Sequence, residues 1–211
     1  METIITGDIV NSRLVDSEVW LNPLKELFSE IAYSEEDWDI FRGDSFQVSV
    51  DPKDAFRIAV LIKTAIKKSS ANKIDVRMAI GIGENDERVS KVSEATGQAF
   101  VYSGELLDNL SDKDVHLGIK TPWKRVDEEF NMMFKLALIV LNSWTANTSE
   151  VAHVLFKIPE ITQTELAKKF GLAQSTVNAR IKRGSVYEIA ELETYFRKRI
   201  SEKIETHYGA I

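Results

Sequence analysis

The chain has 211 residues, with 27 Lys and Arg against 33 Asp and Glu and a net charge of −6. At 44% hydrophobic and 28% charged it reads as an ordinary globular protein of one or two domains, not a disordered or fibrous one. It has no cysteine, which excludes disulfides, thiolate catalysis and zinc fingers. The three histidines, His116, His153 and His207, are too far apart for metal-ligand spacing and are expected at the surface or at interfaces. The opening METIITGDIV lacks the features of a signal peptide. The longest apolar run, Leu136 to Leu141, is far shorter than the ~20 residues of a membrane span. A cytoplasmic location and no membrane partner are expected. Charge is uneven: residues 150–211 carry ten basic and eight acidic residues, net +2, which leaves −8 for residues 1–149. A mildly basic tail on an acidic body suits a nucleic-acid module attached to something else.

Thr3 to Val10 is apolar and β-branched and predicts a buried strand ending near Asp8. Asp16 or Ser17 can cap a helix whose apolar positions Trp20, Leu21, Leu24, Leu27, Phe28 and Ile31 recur at helical spacing. Trp38–Arg42 and Ser45–Val50, separated by Gly43-Asp44, predict a β-hairpin. Asp51 caps and Pro52 opens a second helix with Phe56, Ile58, Val60, Leu61 and Ile66 on its apolar face. Ile74–Ile82 reads as a strand, Glu84–Thr96 as a polar loop, Gln98–Leu110 as a helix and Val115–Ile119 as a last short strand. The order β-α-β-β-α-β with an appended helix and strand predicts a ferredoxin-like sheet with helices packed on one face. From about Lys124 every segment reads as helix. The expected division is an α/β domain over 1–123, a connecting helix over 124–147 and a helix-turn-helix domain over 148–211, an α+β protein with an all-α tail.

Asp8 at the end of the first strand and Asp44 in the hairpin turn converge if those strands are neighbours. Two adjacent carboxylates suit a Mg²⁺ or Mn²⁺ ion that in turn binds a triphosphate, and Gly7 and Gly43 beside them would let phosphate oxygens approach the backbone. The plainer alternative is that both are ordinary turn residues.

These segments carry a resemblance. IITGDIVNSR resembles the first-strand motif of class III nucleotidyl cyclases, and FRGDSFQV resembles their hairpin and the GGDEF motif of diguanylate cyclases. RMAIGIG and EATGQAFVYSGELL look like the cyclase Arg-x-Gly-Ile strand and its following helix. As a whole the chain resembles the SatD family of small bacterial proteins. The resemblance implies metal ligation at Asp8, Ile9 and Asp44, and contacts to a nucleoside triphosphate or related nucleotide from Gly7, Asn11, Arg13, Gly43 and Glu94. It also implies pairing of two copies, since cyclase domains work as dimers. The departures are chemical. The cyclase Asn and Arg that stabilise the transition state correspond to Val101 and Glu105, the base-reading Lys to Ile40, and the acidic fourth GGDEF residue to Ser45. Phosphoryl transfer depends on electrostatic stabilisation, so binding is expected and ordinary cyclisation is not, unless Arg13, Arg42 or Arg77 substitutes.

In the tail, Thr162 with Glu165 forms a capping box. Ala167 is small where two helices cross, and Gly171 suits a left-handed turn. Val177 and Ile181 would pack a second helix, about Gln174–Arg183, onto the first, with Leu166, Phe170 and Leu172 completing a small core. That spacing predicts a helix-turn-helix. Gln174, Ser175, Thr176 and Asn178 are suited to base edges of double-stranded DNA, and Arg180, Lys182 and Arg183 to its phosphates. A helical bundle used only for dimerisation would show the same apolar spacing. The leading expectation is a DNA-binding transcription regulator whose cyclase-like domain binds a nucleotide and metal. The alternative is an active metal-dependent nucleotidyl cyclase or nucleotidyltransferase whose helical tail mediates assembly.

Overall fold

Nine residues, Glu2–Val10, form strand β1, largely buried on both faces. In the computed structural model, which describes residues 1–41, 43–70, 73–84, 92 and 97–209, this strand is the centre of the sheet, where doubly buried strands belong. On one side it pairs with the hairpin of β2 (Trp38–Phe41) and β3 (Ser45–Val50); on the other with β4 (Asp75–Gly83), which is followed by β5 (Leu117–Lys120). The order is β2-β3-β1-β4-β5. All neighbours are antiparallel except β4 and β5. The register sets Asp8 opposite Ser45 on one side and Arg77 on the other. Gly43 turns the hairpin at φ 85°, a conformation that favours glycine.

Side chains alternate across β1. Ile5 and Ile9 face the main core with α1 (Glu18–Ile31) and α2 (Ala55–Ser69), whereas Ile4 packs with Ala99 of α3 (Gln98–Asp112). The expected one-sided arrangement is therefore corrected: α3, the crossover between the parallel strands β4 and β5, covers the opposite face. The cause is local to β4. A Cβ on Gly81 would lie 2.2 Å from the Ala99 carbonyl oxygen and one on Gly83 2.7 Å from the Ala99 nitrogen, so only glycine lets α3 approach this closely. The second helix is also revised. Asp51 accepts a bond from the Lys53 amide, but Pro52–Asp54 forms a 3₁₀ turn and α2 starts at Ala55.

The remaining chain folds into α4 (Lys124–Ser143), α5 (Ala146–Lys157), α6 (Gln163–Phe170), α7 (Gln174–Arg183) and α8 (Val186–Gly209). None of the described helices is long and apolar enough to cross a membrane. Asn131 of α4 pairs both amide groups with the backbone of Ile119, which occupies hydrogen-bonding groups of the edge strand β5. The tail is not set apart from the sheet. One hydrophobic core runs from Ile5 through Phe134 to Ile200. Phe196 of α8 lies 5.9 Å from Phe56 and 4.8 Å from Phe130, measured between ring centroids, and Arg197 pairs with Asp54 at 2.6 Å.

His153, expected at the surface or at an interface, is buried where α5 meets α2. It is 6% exposed, and its Nδ1 lies 2.9 Å from the Thr64 hydroxyl of α2. Burial, with Lys68 and Lys157 nearby, holds its imidazole down at about 3. Between the ordinary histidine value near 6.5 and about 3, the unfolded chain takes up a proton that the folded chain refuses. Stability is therefore lost as pH falls through that window, at up to about 1.4 kcal/mol per pH unit from this group. Denaturant unfolding between pH 7 and 4 should show a shallower acid decline for His153→Gln than for the unaltered chain.

Candidate functional site

The first candidate site lies where β1 and β3 meet beneath α3. Thr6 and Asp8, alternate residues of β1, share one face with Ser45, Gln47 and Arg77, and α3 closes over them with Gly104, Leu107, Asp108 and Ser111. The cleft has a volume of about 400 Å³. Its floor is an ordered polar chain: the Gln47 amide donates to the Thr6 hydroxyl (3.3 Å), which donates to the Ser103 hydroxyl (2.8 Å). Arg77 is the cation of the cleft, 3.4 Å from Asp8 Oδ2 and donating to Ser111 at 2.7 Å.

Asp8 is held in an unfavourable setting. Burial raises its carboxyl above the ordinary value, Arg77 pulls it down, and the charge of Asp44 pushes it up again. Its Oδ1 is buried and has no hydrogen-bond partner among the described residues. Such an orphaned carboxylate oxygen is costly without a proton or a cation. Asp44 sits in the hairpin turn just before β3, its carbonyl accepting from the Ile9 amide at 3.0 Å. Its carboxylate, however, lines an adjoining cavity with Ser12, Arg13 and Gly43 and accepts from the Ser12 hydroxyl at 2.8 Å. Ile9 has a buried side chain, so only its backbone carbonyl, which lies on the β3 side of the strand, has ligand chemistry. Among the described residues no group of three or more His, Cys, Asp or Glu side chains could hold a metal ion. Asp8, Asp44 and the Ile9 carbonyl are oxygen donors of the kind a hard cation takes, with the two carboxylates lining adjoining cavities.

The other nucleotide residues divide. Arg13 and Gly43 belong to the Asp44 cavity, and Asn11 is an exposed left-handed residue at φ 63°. Gly7 faces the core: a Cβ there would lie 2.4 Å from the Phe46 ring, so packing alone requires glycine. Glu94 and Arg42 lie outside the described residues. Val101 and Glu105 do not line the cleft; Val101 is 54% exposed and Glu105 bonds Lys120 at 2.6 Å. Sequence reasoning missed Thr6, Gln47, Asp108 and Ser111. The alternation Thr6-x-Asp8 and the spacing 104-107-108-111 on α3 are the signals that would have found them.

The second candidate site is α7. Thr162 and Glu165 make both bonds of the capping box, and Gly171 ends α6 in the left-handed conformation at φ 63°. Leu166, Val177 and Ile181 are buried between the helices. Gln174, Ser175, Thr176, Lys182 and Arg183 are exposed and Asn178 half-buried. Lys182 and Arg183 have no ion pair among the described residues, and Lys168 and Lys169 of α6 are also exposed. Arg180 is different from expectation. It pairs with Glu150 of α5 at 3.1 Å, so it braces α7 against the body. Trp144 donates to the Gly184 carbonyl at 2.6 Å and fixes the end of the helix.

A family model described as the SatD family matches residues 3–203. No curated protein matches the chain.

Proposed function

This chain belongs to the SatD family, and from that footing we propose that it is a DNA-binding regulatory protein whose sheet domain binds a divalent metal and a nucleotide. We read the strand order and senses as a ferredoxin-like, nucleotidyl cyclase-like domain, and α6 and α7 as a helix-turn-helix. The observation that carries the reading is α7: a helix anchored on three sides by apolar contacts, Glu150 and Trp144, with hydrogen-bonding side chains on its free N-terminal face and cations at its end. That is how a recognition helix is built. Base contacts come from Gln174, Ser175, Thr176 and Asn178, phosphate contacts from Lys182 and Arg183, and Arg180 reaches DNA only by leaving Glu150.

Duplexes selected from a random pool test this. Asn178→Ala or Gln174→Ala should cost about 1–3 kcal/mol on the selected sequence and little on random DNA. Lys182→Ala should weaken all duplexes alike and flatten the salt dependence. Loss of sequence preference in neither N-terminal variant would remove α7 from the account.

Mg²⁺ or Mn²⁺ is the metal in this reading, bound by Asp8, Asp44 and the Ile9 carbonyl together with a triphosphate, and the supporting observation is the buried, unpartnered Asp8 Oδ1. The metal would neutralise the two carboxylates and the phosphates at once. Asp8→Asn and Asp44→Asn should each reduce the rise in melting temperature that Mn²⁺ plus nucleoside triphosphate gives the unaltered protein, because a ligand stabilises the state it binds. Equal shifts in all three proteins would contradict the metal site. Turnover as a cyclase or nucleotidyltransferase is the second reading. Against it, the lining contributed by α3 includes no cation, so transition-state charge is left to Arg77. Mass analysis of products after incubation with each triphosphate separates the two. The protein acts as a homodimer in this proposal.

A further inference from the structure

We infer that two copies pair through the exposed ridge of α4, each seating it in the groove between α4 and α8 of the other. At 3.6 residues per turn, Met132, Leu136 and Ile139 form one ridge along α4, and they are 59%, 61% and 72% exposed. Their flank toward α8 is Met133, Ala137 and Val140, which with Ile189, Leu192 and Tyr195 lines an apolar groove of about 480 Å³. An apolar ridge beside an apolar groove is self-complementary: under a two-fold axis each ridge enters the other groove, which is the isologous contact of homodimers. Three large apolar side chains left in water on successive turns of a single helix mark an interaction face.

The charges fit the same partner. Lys135 lies on the flank of the ridge away from its own groove, and Glu188 and Glu191 stand on the α8 rim of the groove; none of the three has an ion pair among the described residues. The helices run antiparallel, since Trp144 meets Gly184 and Phe130 meets Phe196. With the axis near Leu136, Lys135 of one copy therefore faces the partner's α8 at the level of its acidic rim. The pairing uses α4 and α8 and leaves the cleft face of the sheet open, unlike the cyclase pairing implied by resemblance. It also deepens the proposed function: α8 follows α7 after two residues, so the interface fixes two copies of α7 relative to each other. The inference rests on the homodimer part of that proposal and not on DNA binding.

Light scattering across a micromolar dilution series, without DNA or nucleotide, tests it. The unaltered protein should be dimeric. Leu136→Glu with Ile139→Glu should raise the dissociation constant on the order of 100-fold or more with an unchanged melting temperature for the monomer, because both positions are exposed. Lys135→Glu should weaken pairing on the order of 10-fold, and adding Glu188→Lys and Glu191→Lys should restore it, a rescue that a merely structural role would not produce. A monomeric unaltered protein, or a Leu136→Glu, Ile139→Glu variant that remains dimeric, overturns the inference. Sequence-selective DNA binding by α7 is measured separately and can fail without it.

Discussion

Phe196→Ala is expected to destabilise the whole chain by about 3–5 kcal/mol. The Phe196 ring is fully buried and lies within 6.1 Å of the rings of Phe56, Phe130 and Phe134. Phe56 belongs to α2 and Phe196 to α8, so removing the ring opens a cavity shared by the sheet domain and the tail. Urea unfolding followed by tryptophan fluorescence and by far-ultraviolet circular dichroism checks this. Both signals should move together to a lower midpoint in a single transition. A sheet domain that merely carried a tethered tail would keep its own transition unchanged.

Asp75→Ala should be comparably damaging for an electrostatic reason. Lys63 is 2% exposed, and its ammonium donates to the two Asp75 oxygens at 2.7 and 2.9 Å. Burial lowers the Lys63 pKa, with Asp75 opposing it. Burial also works to raise that of Asp75, but His116, Lys63 and Lys67 together hold it below its ordinary value; the His116 Nδ1 lies 3.6 Å from Asp75 Oδ2. Removing the carboxylate strands a buried ammonium, which costs about 3–5 kcal/mol. Replacing both members, Lys63→Met with Asp75→Ala, should cost less than the two single changes summed, because the buried Lys63 ammonium is no longer left without its partner. A double-mutant cycle in urea measures the difference. Additive losses would show that the pair is not coupled.

Much of the local structure was legible because it follows from neighbouring residues. Strand β1, the Gly43-Asp44 hairpin and the Gln174–Arg183 helix all stand where periodicity and turn chemistry put them. Thr162, Glu165 and Gly171 make the predicted cap and left-handed turn within a few residues. The features that escaped are contacts between distant segments. The strand predicted over Ile74–Ile82 does not reveal what its second face meets; only the approach of Ala99 to Gly81 and Gly83 shows that α3 covers it. Arg180 has the composition of a phosphate ligand, but Glu150, thirty residues earlier, holds it. Phe196 lies on an amphipathic stripe whose partner, Phe56, is 140 residues away in sequence, so the tail read as separate from a core that it completes. At the cleft, Asp8 is a candidate from its place at the end of a strand, but its unpartnered oxygen and its Arg77 neighbour depend on strand register.

The most direct test of the proposed function is binding of the unaltered chain to a random pool of fluorescent duplexes, followed by anisotropy from low to moderate salt. The net charge of −6 opposes non-specific association, so the series must start at low ionic strength, where attraction to phosphates is least screened. The account predicts saturable binding that weakens with salt and enrichment of a sequence with two half-sites about one helical turn apart. Absence of binding to any duplex at the lowest salt would contradict it.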